Sequence, residues 1–397
     1  MRFLADEQLA KETARQGVTR DRANAVDAVW NRTWTPFCRE LGLDPLLNGV
    51  QDKVAILRVF ALRARRGERA RNASNNPIGA KHTSDELYRV AQTFTELGHP
   101  DPRLGPDNRI DFRLRALFRA MAKEDPPPTR VKPIPLQVLQ QAQTTANTTA
   151  TMDDSFEQAV MAMAWLAFFY LLRPGEYAHT RSETKPITWD AIALIRHGIP
   201  LDTRTCPENN LFQASHATIT FDTQKNRNRG EVVAHASSGH LWSCPVRAMA
   251  RRILHLRRNN APFTTPLCAW YPFPGAKTLV TGNDITALLR SAAAQTPQIR
   301  YKPSDVTARS LRAGGAMALL IGKVDITKIR LQGRWRSDAV FRYLHSEALP
   351  LVDNLASTMV DAGAYTLLPG TGLPAEGLRV LQEEARLASQ WTTLQQE

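Results

Sequence analysis

Cysteine is scarce in this sequence, which has four among 397 residues and no CxxC pair. Cysteines that are few and far apart argue against a disulfide framework and against a zinc site. They are typical of proteins that work in a reducing intracellular compartment. The four are Cys38, Cys206, Cys244 and Cys268.

Long apolar runs are missing as well. The longest covers residues 159–172. It falls short of the roughly 20 residues that a membrane-spanning helix needs, so we expect a buried core helix there. Residues 1–7 become acidic and polar too early for a signal peptide. No internal repeat of solenoid length is present. The sequence therefore predicts neither a membrane protein nor a repeat protein.

Acidic residues are too few to balance the basic ones. Lys and Arg number 51 against 38 Asp and Glu, which gives a formal net charge of +13. Such a surplus favours a polyanionic partner through attraction and counterion release. Nucleic acid is one such partner and an anionic membrane is another. A basic enzyme without any nucleic-acid role fits the same charge.

Clustered prolines divide the chain at residues 124–135. Proline cannot continue a helix and favours an extended, fairly stiff connector, so we predict a linker there. Before it, residues 1–123 carry apolar side chains at helical spacing in four runs, which predicts an all-helical domain. The runs lie at residues 25–37, 54–62, 87–94 and 114–121.

The part after the linker has mixed periodicity. Residues 216–225 alternate between apolar and polar, which predicts a half-buried strand. After a turn at 226–230, residues 231–235 form the predicted return strand. Helices are predicted at residues 156–172, 245–256, 285–293 and 375–395. The expected fold class is therefore mainly α with a small antiparallel β-sheet (α+β).

Two helix signals flank a short break within residues 333–343, which read G-R-W-R-S-D-A-V-F-R-Y. Asp325 can cap the helix before the break, and Gly333 suits its C-terminal stop. The Ser-Asp pair can cap the helix that follows. The pattern therefore predicts Trp335 on a tight turn and Tyr343 about one and a half turns into the next helix.

Two segments earlier in the sequence form a pattern together with residues 333–343. Residues 309–316 read R-S-L-R-A-G-G-A, and residues 172–176 read L-R-P-G-E. With residues 333–343, their order resembles the catalytic domain of tyrosine recombinases, the phage-integrase family, over residues 135–365. The amino-acid sequence of residues 333–343 is most similar to that of recombinases of eukaryotic mobile elements.

The resemblance implies a domain organisation. Residues 136–365 would form an integrase-like catalytic domain, and residues 1–123 would form a helical DNA-binding (core-binding) domain, the latter by position only. In the family a C-terminal helix often docks into a neighbouring protomer. The tail at residues 366–397 could do so here, and packing on its own core is equally compatible.

The resemblance also implies a site. Tyr343 would attack a DNA phosphodiester and form a 3′-phosphotyrosyl link. Arg173 and Arg312 would hold the phosphate oxygens, for which their planar donor forks are suited. Lys225, at the end of the predicted strand, would protonate the departing 5′-oxygen. Since the link stores the bond energy, no metal, no ATP and no other cofactor is implied.

The sequence departs from the family pattern at two positions. Arg309 stands where the H-x-x-R box of the family has His, and an Arg cannot readily exchange a proton. Arg309 is then either purely electrostatic or the mark of a weakened site. The His or Trp that precedes the family nucleophile matches Arg334 by position and Trp335 by residue type. We prefer Trp335, whose indole N–H can donate to a phosphate oxygen.

Each of these residues also has a structural interpretation. Arg173 could close a buried ion pair with Glu176. Trp335 and Tyr343 could be core aromatics, and Lys225 could be a solvated hairpin residue. The combination of the three segments favours the functional interpretation over the structural one.

Arginines outside the site are candidate contacts to the DNA backbone, which would position the protein without reading the sequence of bases. Each is also compatible with a solvated helix end. The predicted DNA-binding residues are Arg63, Arg65, Arg66, Arg69, Arg71, Arg227, Arg229 and Arg334. A second basic stretch with the same ambiguity comprises Arg251, Arg252, Arg257 and Arg258.

The expected function is site-specific cleavage and rejoining of double-stranded DNA by a homotetramer that acts on two duplexes, with no membrane partner. The expected location is the nucleus if the chain comes from a eukaryotic mobile element, and otherwise the cytoplasm or nucleoid. A catalytically decayed DNA-binding protein is one alternative. A type IB topoisomerase is another, although the modest size and the separate N-terminal helical part favour a recombinase.

Overall fold

The structure is a computed structural model that describes residues 5–6, 9–10, 13, 20–68, 76–127, 132–149, 154–181, 184–221, 230–299, 301–342, 344 and 356. The predicted site residues outside these ranges are Arg69, Arg71, Lys225, Arg227, Arg229 and Tyr343, and the predicted tail helix at 375–395 lies outside them too. No helix within the described ranges combines the length and the apolar character needed to cross a bilayer.

The N-terminal part is helical, as the four apolar runs predict. Trp34, Leu57 and Phe94 are fully buried at the centre of its own hydrophobic core. Asp52 caps one of the helices by accepting a 3.2 Å hydrogen bond from the main chain of Ala55. The helices are α1 (Arg20–Val29), a π-helical turn (Trp30–Trp34), α2 (Thr35–Glu40), α3 (Lys53–Arg66), α4 (Ala80–Glu96) and α5 (Phe112–Glu124).

The described ends of the predicted linker are both anchored. Asp125, directly after α5, forms an ion pair with Arg65 of α3 and accepts a 2.8 Å hydrogen bond from the main chain of Ala80. At the other end, Lys132 forms a 2.6 Å ion pair with Asp305. Residues 128–131 lie outside the described ranges.

The part after the linker joins further helices to two small sheets, which confirms the predicted fold class. Its helices are α6 (Leu136–Thr149), α7 (Phe156–Phe169), α8 (Pro174–Tyr177), α9 (Glu208–Phe212), α10 (Pro245–Arg258), α11 (Gly282–Ala294), α12 (Ser310–Ile321) and α13 (Ile326–Gln332). Its strands are β1 (Ile192–Arg196), β2 (Ile199–Pro200), β3 (His216–Phe221), β4 (Glu231–Ala236), β5 (Ala269–Phe273) and β6 (Ala276–Leu279). Short 3-10 turns cover Trp189–Ala191, Pro297–Ile299, Pro303–Asp305 and Asp338–Arg342.

Four strands form an antiparallel sheet in the order β2-β1-β3-β4, while β5 and β6 form a separate hairpin. In β3 the side chains of Ala217, Ile219 and Phe221 are buried, and the intervening threonines are partly exposed. This alternation confirms the predicted half-buried strand and fixes its register. Phe221, the last residue of β3, pairs with Glu231 of β4.

Helix α7 is the centre of the larger core. All of its side chains from 158 to 168 are buried, which confirms the predicted core helix. The helix ends at Phe169, earlier than predicted, and Leu171 then adopts a left-handed φ of 49°. This turn reverses the chain just before Arg173.

Two glycines allow α12 to pack closely. A Cβ atom on Gly314 would collide with the carbonyl oxygen of Ile134, and a Cβ atom on Gly315 would collide with that of Phe168. The small residues that follow Arg312 in the sequence are thus required by backbone contact with α7 and with the linker end. They bring Arg312 next to the turn at Leu171.

Candidate active site

Arg173 lies at the start of α8, immediately after the turn that ends α7. Its main-chain N–H donates to Oε2 of Glu176 at 2.8 Å, and its Nη1 donates to Oε1 at 2.9 Å. The side chain of Arg173 is 25% exposed, whereas that of Glu176 is 7% exposed. The ion pair that the sequence suggested as the structural interpretation is therefore present, and the guanidinium remains accessible from one side.

Arg312 projects from the first turn of α12 and is buried. Its Nη1 donates to the carbonyl oxygen of Leu171, and its Nη2 donates to that of Gly333. The guanidinium carbon lies 4.2 Å from the centre of the Trp335 ring. Arg312 thus joins the end of α7 to the turn after α13 through the carbonyl oxygens of Leu171 and Gly333 and through its cation–π contact with Trp335.

The turn after α13 begins as predicted, with Asp325 capping the helix and Gly333 at its end. A Cβ atom on Gly333 would collide with the ring of Trp335, so the position requires glycine. The next residue, Arg334, has a left-handed φ of 56°. This conformation directs two consecutive large side chains, Arg334 and Trp335, to different neighbours.

Arg334 is buried against Glu176. Its Nη2 donates to Oε2 of Glu176 at 2.8 Å, and its guanidinium carbon lies 3.7 Å from the ring centre of Phe221. Burial lowers the pKa of Arg334, and the negative charge of Glu176 opposes that shift. Nε and Nη1 of Arg334 are buried and have no hydrogen-bond partner among the described residues. A single carboxylate therefore holds the guanidinium groups of both Arg173 and Arg334.

Trp335 packs in a small apolar cluster that also contains Leu171, Ile329 and Val340. Its side chain is nearly buried, and its ring covers Arg312. Of the two candidates for the position before the nucleophile, Arg334 contacts the acidic partner of Arg173, and Trp335 contacts Arg312.

Arg309 and Arg312 lie three residues apart but differ in exposure. Arg309 is the residue before α12 and is exposed, whereas Arg312 is buried within the first turn. The four described arginines of the site therefore form two accessible groups, Arg173 and Arg309, and two buried ones, Arg312 and Arg334.

Sequence reasoning did not identify His235, which lies next to the site. Its Nε2 is 2.7 Å from the carbonyl oxygen of Phe169 and 2.5 Å from the side-chain amide of Gln332. Burial lowers the pKa of His235, so the ring is neutral at pH 7. It connects β4, the predicted return strand of the hairpin, to the ends of α7 and α13. No local sequence pattern marks this role.

The described arginines at the end of α3 differ in their exposure and in their ion pairs. Arg63 forms a 2.8 Å ion pair with Glu40. Arg65 binds Asp125 and donates to the carbonyl oxygen of Ile78 at 3.0 Å. The side chain of Arg66 is 59% exposed, with its nearest carboxylate 3.9 Å away. Arg66 is therefore the best placed of the three to meet an external phosphate.

No family model matches the sequence, and no curated protein matches it either. The chain is similar to the solved structure of the Tn1549 transposon integrase in complex with transposon right end DNA, with 11% identity, a TM-score of 0.47 and coverage of 89% of this chain and 98% of that one.

Two further similar structures are the XerH site-specific recombinase bound to difH substrate and a lambda integrase dimer bound to a COC′ core site. XerH has 10% identity, a TM-score of 0.39 and coverage of 80% of this chain and 79% of that one. The lambda integrase has 11% identity, a TM-score of 0.34 and coverage of 85% of each chain. Two of these three proteins are integrases and one is a site-specific recombinase.

Proposed function

We propose that the chain cleaves and rejoins double-stranded DNA at specific sites through a 3′-phosphotyrosyl intermediate, without a metal ion. The observation that carries this proposal is the convergence of Arg173, Arg312 and Arg334 around the turn at Leu171. These guanidinium groups come from segments far apart in the sequence. Arg312 and Arg334 both donate to the carbonyl oxygen of Leu171, and Arg173 and Arg334 share the carboxylate of Glu176. Such a cluster favours an anion, and arginine forks match the oxygens of a phosphate.

The exposures of the arginines suggest a division of roles. Arg173 and Arg309 are accessible, so we assign them to the non-bridging oxygens of the scissile phosphate. Arg312 and Arg334 are buried and donate to main-chain carbonyls and to Glu176. We infer that they hold the turn in place and contribute their charge at short range, where little water screens it.

Tyr343 is the proposed nucleophile, on the strength of the motif. Its phenolic oxygen would lose its proton to water and form a bond to phosphorus while the bond from phosphorus to the 5′-oxygen breaks, and Lys225 would give the 5′-oxygen a proton. Attack by a 5′-hydroxyl from another strand would reverse both bond changes. Val340, three residues before Tyr343, is buried beside Trp335 and anchors the described end of this segment.

The proposed partner is double-stranded DNA, and the net charge of +13 is the support for it. By the resemblance alone, we infer a homotetramer on two duplexes, with the tail at 366–397 as the candidate for exchange between protomers. A nuclear location follows if the chain derives from a eukaryotic mobile element.

A second candidate function is DNA binding without cleavage. Arg309 replaces a histidine that can exchange protons. His235 lies next to the site, but its Nε2 is already hydrogen-bonded to the carbonyl oxygen of Phe169, so it does not replace the missing acid–base histidine. A site with the same charge but without an acid–base group would still hold DNA.

Trapping on nicked suicide DNA tests the proposal, with substrates taken from the DNA termini that flank the gene. We expect wild type to form a covalent protein–DNA adduct and Tyr343→Phe to form none. Tyr88→Phe is the matched control, because Tyr88 is exposed and its ring, which stacks on Arg103, is kept. An adduct in Tyr343→Phe would contradict the assigned nucleophile. Binding without any wild-type adduct would favour the second candidate, and relaxation of plasmids that lack a target would favour a topoisomerase.

A further inference from the structure

A cationic cavity of about 390 Å³ lies beside α10 and the start of α7. Asp154, just before α7, lines it, whereas Arg173 follows the other end of that helix. A 14-residue helix is roughly 21 Å long, so the cavity is separate from the candidate active site. Its lining includes three arginines, Arg247, Arg251 and Arg252, together with Phe212, Leu241 and Trp242.

Arg252 is a buried cation held by main-chain carbonyls. Its Nε donates to the carbonyl oxygen of Leu267 at 2.9 Å, and its Nη2 donates to that of Ala269. Burial lowers its pKa to about 10, which leaves it charged at neutral pH. Among the described residues no carboxylate forms an ion pair with it, although the nearby negative charge of Asp154 opposes the lowering of its pKa. A buried charge of this kind favours the entry of an anion into the adjoining cavity.

Arg247 and Arg251 line the same wall, since residues four apart share a helix face. The side chain of Arg247 has no hydrogen bond or ion pair within the described part of the chain. Arg251 donates to the carbonyl oxygen of Leu241 at 2.8 Å. Its guanidinium carbon lies 4.1 Å from the ring centre of Trp242. Within the described part of the chain, the side-chain donors of Arg247 are therefore not used by the protein itself.

The acidic residues of the cavity are already engaged. Glu208 forms a 2.9 Å ion pair with Arg258. Oδ1 of Asp154 lies 2.7 Å from Nδ1 of His255. These contacts leave the arginine wall cationic, and the indole ring of Trp242 lies against Arg251 in the same cavity.

We propose that this cavity binds a nucleotide unit, with the phosphate on Arg247 and Arg251 and the base against Trp242 and Leu241. The volume falls within the roughly 300–1,000 Å³ of small-molecule sites. Arginine forks suit phosphate oxygens, and an indole ring stacks on any base. An acidic peptide would satisfy the arginines but would leave the aromatic wall unused. A free nucleotide and the end of a nucleic-acid strand carry the same chemistry.

Calorimetry on the full-length protein tests the proposal with three probes: deoxyadenosine monophosphate, inorganic phosphate and a short 5′-phosphorylated thymidine oligonucleotide. We expect Arg247→Gln to weaken nucleotide binding by roughly tenfold or more. Since Arg247 has no partner within the described part of the chain, this substitution breaks no described contact of the fold. Trp242→Leu should weaken the nucleotide but not phosphate. Lys277→Gln, which removes an exposed cation on β6 away from the cavity, should leave binding unchanged.

Saturable binding of the mononucleotide, weakened by Arg247→Gln and by Trp242→Leu, supports the site and identifies a free nucleotide as its ligand. Binding of the oligonucleotide alone, still dependent on Arg247, supports it with a strand end as the source. Three results would overturn it. The first is equal affinity for phosphate and nucleotide, with no effect of Trp242→Leu. The second is displacement of the nucleotide by a polyglutamate peptide at a similar concentration. The third is nucleotide binding by Arg247→Gln that is as strong as binding by Lys277→Gln.

Discussion

Glu176 and Arg334 lie 158 positions apart in the sequence, yet Nη2 of Arg334 donates a 2.8 Å hydrogen bond to Oε2 of Glu176. The same carboxylate accepts two hydrogen bonds from Arg173. One acidic side chain therefore fixes the start of α8 relative to the turn after α13. The position of the accessible Arg173 depends on a residue that is itself almost inaccessible.

Removing one partner of this buried pair should be costly. We expect Arg334→Met to lower the free energy of unfolding by about 1–3 kcal/mol, because buried Glu176 loses one of its two cations and keeps the other, Arg173. The double variant Arg334→Met/Glu176→Gln should recover part of that loss, since the carboxylate charge that Arg334 helped to balance is removed as well. Urea unfolding of the three proteins measures both effects.

Arg309→Met is the matched control for this series. It makes the same substitution at an exposed arginine of the same site, so we expect a change within about 0.5 kcal/mol. Equal destabilisation by Arg334→Met and Arg309→Met would show that the ion pair with Glu176 contributes nothing to stability.

His235 predicts a pH dependence of stability. Burial lowers its pKa below the ordinary 6.5, so the unfolded chain takes up the proton first as the pH falls. The stability that neutral His235 contributes is therefore present above about pH 6.5 and is lost as the pH falls toward the lowered pKa. We expect urea midpoints to fall less steeply below pH 6.5 in His235→Gln than in wild type. His240→Gln, at an exposed histidine, should keep the wild-type steepness; if both variants do, the inference about His235 is wrong.

Arg65 and Arg66 are neighbours with different expected effects on DNA binding. Arg66 is exposed, so Arg66→Ala should weaken binding to DNA of any sequence and reduce the slope of log K against log salt concentration by about one. Arg65 is bonded to Asp125 and to the carbonyl oxygen of Ile78, so Arg65→Ala should lower stability and leave that slope unchanged. Fluorescence anisotropy over a salt series separates the two. Identical slopes for wild type and Arg66→Ala would exclude Arg66 as a phosphate contact.

Local patterns predicted the elements whose apolar residues are strongly periodic. The helix at Lys53–Arg66, the core helix α7 and the end of α13 at Gly333 all follow from spacing and capping residues. Helix α6 was missed because it is rich in Gln and Thr, and only a few of its side chains, such as Leu139 and Ala142, enter the core. Strands β1, β5 and β6 were missed because they are short and form pairs that no local signal specifies.

The candidate site was predicted less completely than the fold. Helical spacing placed Arg309 and Arg312 on one face, but it did not indicate that the helix begins between them and buries only the second. The partnership of Arg334 with Glu176 depends on packing between segments far apart in the chain. Sequence spacing carries no information about such a contact, and neither does the capping pattern that located the turn.

The ion pairs at the two ends of the linker limit how far the N-terminal and C-terminal parts of the chain can move apart. While Asp125 stays bound to Arg65 and Lys132 to Asp305, the covalent chain from Pro127 to Lys132 can span at most about 18 Å. The N-terminal part therefore stays close to any ligand that the C-terminal part binds. The linker keeps the N-terminal part at a high local concentration near that ligand. A ligand that both parts bind then dissociates only when both parts release it within the same short interval.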